Sequence, residues 1–237
     1  MKKWFALALT MALVFSVSAA WAKTVKMGTY QIPLMVESKD KGVFVELVKA
    51  VAGKAGDQLD IIVAPPKRTV GSFSKGEIDG FFPCLDVMLP GDASKSDPIY
   101  VKSDFAFTRS DTPKISDIKA LEGKTVGITI GYPYAKALLS NKKIKLEQAE
   151  SDVLNMKKLS KGRIDAFVVE EKTGVKALQE SGAANIHYDK DKALSEQNVY
   201  FAFQPNADGK ALAAKFSKAL GEIKADGTFG KIMSKAK

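Results

Sequence analysis

The chain has 237 residues, with 36 Lys and Arg against 27 Asp and Glu, one His and one Cys. A lone Cys84 excludes an internal disulfide framework, and a lone His187 with no Cys or acid cluster at ligand spacing argues against a metal centre. The net charge of +9 would admit nucleic acid as a partner. The lysines are dispersed over predicted helix surfaces, however, and the excess reads as a solvated basic surface.

The first residues, MKKWFALALTMALVFSVSAAWAKT, combine Lys2 and Lys3, an apolar stretch from Trp4 to Val17 and a small-x-small ending at Ala20-Trp21-Ala22. This is the layout of a secretory signal peptide, residues 1–22, cleaved after Ala22. The apolar run is short for a membrane span, and no cysteine follows the cleavage site to carry a lipid. The mature chain would run from Lys23 to Lys237 and keep a net charge of +7, since only Lys2 and Lys3 are lost. An exported domain without disulfides fits a bacterial periplasm.

KTVKMGTY, from Lys23, predicts a strand. GVFVELVKAVAGKAG (Gly42–Gly56) predicts a helix with Phe44, Leu47, Val48 and Val51 on one side. IIVAPP is a second strand, and a helix carrying Val70 and Phe73 follows, stopped at Gly76. IDGFF reads as a buried core strand. The plan then recurs: a strand in KTVGITIGY from Lys124, a helix in YAKALLS after Pro133, and a strand in KIKLEQAES. A helix with Asp152 as N-cap and Met156 and Leu159 inward follows, then Gly162 and the strand IDAFVV.

The recurrence is nearly literal at SKGEIDGF (74–81) and SKGRIDAF (160–167), an offset of 86 residues. Each half is strand, helix, strand, helix, strand, which makes an α/β lobe with a mostly parallel sheet. Asp79 and Asp165, one per copy, are expected to serve structure at the starts of core strands. The tail, a strand at Val199–Phe203 and helices with Leu212, Phe216 and Leu220 before a break at Asp226-Gly227, is expected to return to the first lobe. Lobe 1 would comprise 23–105 with 201–237, and lobe 2 106–200. Ser103–Asp111 outward and NVYFAFQP back would form two antiparallel hinge crossings.

VKMGTY, GVFVELVKAVAGKAG, SKGEIDGFF, SDPIY, LEGKTVGITIGYPY, SKGRIDAFVVEE and ALGEIKADGTFGKI occur in register across the mature chain. In that order they resemble the periplasmic solute-binding proteins of the polar amino-acid type (family 3), the soluble receptors of ABC importers. The resemblance implies the two-lobed type II periplasmic-binding-protein fold: two mixed, mostly parallel sheets flanked by helices and joined by two hinge crossings. It implies a periplasmic monomer without cofactor that is not an enzyme, closes on a small polar solute and meets a membrane permease, with no nucleic acid partner. Two alternatives share the scaffold: a ligand-sensing protein for a membrane receptor, and a dehydratase-like enzyme with Glu170 as acid or base.

Ligands of open α/β sheets bind beyond the carboxyl ends of strands, near helix N-termini. The candidates there are Tyr30, Arg68, Phe82, Asp86, Gly131, Tyr132, Tyr134 and Glu170. The resemblance implies that Glu170 holds a ligand ammonium and that the GYPY segment receives a carboxylate, with Tyr132 and Tyr134 in place of small residues. It departs from the family at Gly91, which stands where an arginine clamps the ligand carboxylate, and at Asp86, which replaces a serine or threonine. Arg68, at the first turn of its helix, is the expected substitute. Cys84 has no catalytic partner in sequence, and no catalytic residue is assigned.

Overall fold

The computed structural model describes residues 24–89 and 91–236; the expected signal peptide lies outside them. The first half runs β1 (Thr24–Thr29), α1 (Val43–Ala55), β2 (Gln58–Val63), α2 (Pro66–Ser74), β3 (Gly80–Cys84) and a short β4 (Ser94–Lys95). A long strand, β5 (Tyr100–Arg109), leads to β6 (Thr125–Thr129), α3 (Lys136–Leu139), β7 (Lys145–Ala149), α4 (Asp152–Ser160), β8 (Ala166–Glu170) and α5 (Glu171–Ser181). After β9 (Ile186–His187), the second long strand β10 (Ser195–Phe203) returns, followed by α6 (Ala207–Ala225) and α7 (Thr228–Met233).

The strands follow the order β2-β1-β3-β10-β5-β8-β6-β7, with β4 and β9 attached at the side. β1 pairs parallel with β2 and β3, and β6 pairs parallel with β7 and β8. β5 and β10 run antiparallel to each other and to their neighbours β8 and β3. The result is a pair of mixed, mostly parallel sheets that share β10, each with helices against it. Among the described residues no helix is long and apolar enough to cross a membrane.

The internal repeat holds at the level of single bonds. Met27 and Gly28 pair with Gly80 and Phe81 in the first lobe; Val126 and Gly127 pair with Ala166 and Phe167 in the second. Asp79 accepts a hydrogen bond from the Lys26 amide at 2.8 Å, and Asp165 accepts one from the Thr125 amide at 2.8 Å. Each acid ties the start of a core strand to its parallel neighbour. Gly76 (φ 72°) and Gly162 (φ 67°) take the left-handed conformation just past α2 and α4.

Three details differ from the sequence reading, each for a local reason. Ser151, not Asp152, caps α4 by accepting from the Leu154 amide; Asp152 is buried instead and bonded to Thr129 and Tyr132. The helix after Pro133 is a single turn, because Tyr134 is drawn into the core with its hydroxyl accepting from the Thr129 amide at 2.8 Å. The return strand starts at Ser195 rather than Val199, since residues 195–199 pair with β5.

The first-lobe core joins Phe44, Leu47, Val48 and Val51 of α1 to Phe201 and Phe203 of β10 and to Leu212, Phe216 and Leu220 of α6, so the tail does pack on the first lobe. The second lobe has apolar clusters that include Phe105, Phe107, Met156 and Phe167, and Ala106, Val126, Ile128 and Leu138. Between the lobes, residues 100–104 of β5 pair with 195–199 of β10. By residues 104–108, β5 is already paired with β8, so the outward passage starts at Tyr100, ahead of the 103–111 stretch read from the sequence.

Candidate functional site

A cavity lies between the lobes above these two crossing strands. The first lobe contributes Tyr30, Ile32, Met35, Phe44, Pro83 and Leu85 to its wall; the second contributes Tyr132, Pro133, Glu170 and Thr173. The crossings supply Tyr100, Lys102 and Val199. The cavity holds about 60 Å³ of room in this conformation, less than the ~300 Å³ at which small-molecule sites usually begin.

The alternation of a strand puts Tyr100, Lys102 and Asp104 on one face of β5. Val101, between the first two, is exposed on the other face. Tyr100 and Lys102 reach the cavity, and Asp104, 1% exposed, lies beside Lys102. The Lys102 ammonium is ion-paired with Asp104, and it sits 5.4 Å from the centre of the Tyr134 ring. The Ser195 hydroxyl donates to the other Asp104 oxygen at 3.3 Å. In the β5–β8 ladder Asp104 stands opposite Glu170.

Glu170 caps α5. Its Oε2 accepts from the Thr173 amide at 3.0 Å and the Thr173 hydroxyl at 3.3 Å, while Oε1 accepts from the Tyr100 hydroxyl at 2.5 Å. The Tyr132 hydroxyl donates to Asp152 Oδ2 at 3.0 Å, and Thr129 donates to Asp152 Oδ1 at 2.5 Å. Burial pushes the Asp104 carboxyl above its ordinary value; Lys102 and Ser195 oppose the shift and the Glu170 charge adds to it. Asp152 is raised as well, first by burial, with the Thr129 and Tyr132 donors opposing and Glu170 again adding.

Of the residues singled out in the sequence, Tyr30, Tyr132 and Glu170 line the cavity. Tyr30 presents its ring, while its hydroxyl donates to the Pro83 carbonyl at 2.9 Å. The other five are not brought to it. Phe82 is fully buried edge-on to Phe201 in the first-lobe core, and Tyr134 is buried in the second. Asp86 sits in an exposed 3₁₀ turn and pairs with Lys95 at 2.6 Å. Arg68 is exposed on α2, and Gly131 is exposed in a turn with φ 82°. Gly91 is exposed too, and a Cβ added there would meet nothing within 4 Å beyond its chain neighbours.

Tyr100, Lys102 and Asp104 were not among the candidates read from the sequence, which placed Tyr100 in the SDPIY motif and Asp104 in the 103–111 crossing; the Tyr-x-Lys-x-Asp alternation ahead of apolar FAF was the available signal. Cys84 is buried, its thiol pushed up to about 12 by burial, and so is held unreactive. Among the described residues, no three His, Cys, Asp or Glu side chains converge to hold a metal ion.

No family model matches the chain. It is 27% identical over 216 residues to the probable amino-acid-binding protein YxeM of Bacillus subtilis (strain 168), a match covering 87% of this chain and 80% of the relative. It is 25% identical over 256 residues to the arginine-binding extracellular protein ArtP of the same organism, covering 99% and 98%. A solved substrate-binding protein of an amino-acid ABC transporter superposes with a TM-score of 0.66 at 24% identity, over 90% of this chain and 98% of that one. The chain thus resembles the amino-acid-type solute-binding proteins along most of its length, as its motifs implied. Its fold is the two-lobed type II periplasmic-binding-protein fold.

Proposed function

We propose that this chain is an extracytoplasmic solute-binding protein that closes its lobes on a small polar solute and delivers it to the permease of an ABC importer. The observation that carries the reading is a cavity walled by both lobes over two antiparallel crossing strands, where rotation about a few residues opens or shuts the site. The relatives' names, amino-acid-binding and arginine-binding, favour the same role. The signal peptide read in residues 1–22 puts the mature protein, a monomer, in the periplasm.

The reading is tested by thermal unfolding of residues 23–237 after unfolding and refolding to strip carried-over solute. The panel spans amino acids, amines, organic acids, nucleobases and sugars. A solute at about 100 times its Kd adds about 2.7 kcal/mol of stability. One chemical class is expected to shift the transition and to be recovered unchanged. A flat response to every class would overturn the receptor reading, and conversion of the bound solute would replace it with an enzyme.

A further inference from the structure

The charges around the cavity do not balance. Glu170, Asp104 and Asp152 each hold separate hydrogen-bond or ion-pair partners. The Glu170 charge nevertheless acts on the other two carboxyls, and among the described residues Lys102 is the cation that offsets both. Asp104 and Glu170 face each other directly across the β5–β8 ladder, a placement of like charges that weakens a sheet. Lys102 offsets one of the two through its ion pair with Asp104. Among the described residues the donors to Glu170 are uncharged: the Tyr100 hydroxyl and the Thr173 amide and hydroxyl. The Glu170 charge adds to the lift that burial gives the Asp104 and Asp152 carboxyls, so a further positive charge beside Glu170 would relieve all three.

The rest of the lining has a consistent character. Tyr30, Phe44, Tyr100 and Tyr132, with Pro83 and Pro133, line the same cavity as Glu170. Aromatic faces attract an organic cation, whereas a carboxylate placed among them loses its hydration without a partner. Arg68 is exposed on α2, Gly91 has no side chain to offer, and Lys102 is engaged by Asp104.

We propose that the cavity takes a small organic cation, a protonated amine on an apolar body that carries no carboxylate. Its ammonium sits against Glu170 within the aromatic walls, in a charge-assisted bond that completes the unbalanced cluster. This rests on the solute-binding reading above and narrows it to one ligand class.

The experiment is calorimetric titration of the refolded mature chain with amines and their parent amino acids: tyramine and tyrosine, phenethylamine and phenylalanine, agmatine and arginine, cadaverine and lysine. In at least one pair the amine is expected to bind ten-fold or more tightly than the amino acid. Glu170→Gln, which keeps an acceptor for the Thr173 amide, should weaken that amine at least ten-fold; Glu222→Gln on the α6 surface should leave it unchanged. Amino acids that bind as tightly as their amines would overturn the proposal, using the wild-type chain alone. Binding of only an uncharged or anionic solute from the wider panel would also overturn it while leaving the receptor reading intact. No binding by any compound would end both.

Discussion

Burial holds the Asp152 carboxyl above its ordinary value of 3.8, against the Thr129 and Tyr132 donors. The folded chain therefore keeps this proton more tightly than the unfolded chain does. The associated stability is fully present below the unfolded value and is lost as pH rises through the raised folded value. Asp152→Asn removes that pH-dependent part. Urea unfolding at several pH values should show the variant gaining on the wild type as pH climbs through the carboxylate range, then holding a constant offset. An offset independent of pH would mean that Asp152 titrates alike in both states. The same residue marks the limit of sequence legibility: a position after Ser151 reads as a helix cap, and only the tertiary approach of Thr129 and Tyr132 turns it inward. Glu170 and Tyr30 were legible because strand ends in an α/β lobe meet ligands. The Asp104–Glu170 pairing was not, because it depends on a register between strands more than sixty residues apart.

At the level of elements, the two copies of the repeated unit differ at two positions, Glu77 against Arg163 and Gly80 against Ala166, and the second of these falls in the core strand. A Cβ on Gly80 would come 2.3 Å from the Ala202 carbonyl oxygen and 2.9 Å from the Met27 sulfur. β3 is therefore pressed against β10 more closely than a methyl permits. Ala166, in the matching place on β8, pairs with Thr108 of β5 and keeps its methyl in the core. Gly80→Ala should lower stability by about 1–3 kcal/mol, because the obstacle is backbone and must move. Ala166→Gly should lower it by about 0.5–1 kcal/mol through chain entropy. Denaturant midpoints with unchanged m-values would measure both, and equal effects would contradict the packing argument. The helices, glycine stops and core strands of each copy were legible because periodicity and turn chemistry are local. The single-turn α3 was not, since the Tyr134 hydroxyl accepts from the Thr129 amide at the end of β6, five residues back, a bond that no helical periodicity signals.

For the molecule as a whole, closure is supported by a contact outside the crossing strands. Lys172, on α5 of the second lobe, donates to the carbonyl of Ala236 at 2.8 Å, and Ala236 is buried in the first-lobe core. A net hydrogen bond is worth about 0.5–1.5 kcal/mol, so Lys172→Met should weaken solute binding by up to about ten-fold. Unchanged affinity would show that the closed form does not depend on this contact. The shared strand has a different consequence. Residues 100–199 contain all the sheet partners of the second lobe, whereas the first-lobe core cannot be completed without Phe201, Phe203 and the apolar face of α6, the last part of that lobe to leave the ribosome or the export channel. A nascent or truncated chain ending soon after Val199 thus holds a finished half and an unfinished one. Quality-control proteases would meet the N-terminal segment, the first to emerge, as the last to become resistant.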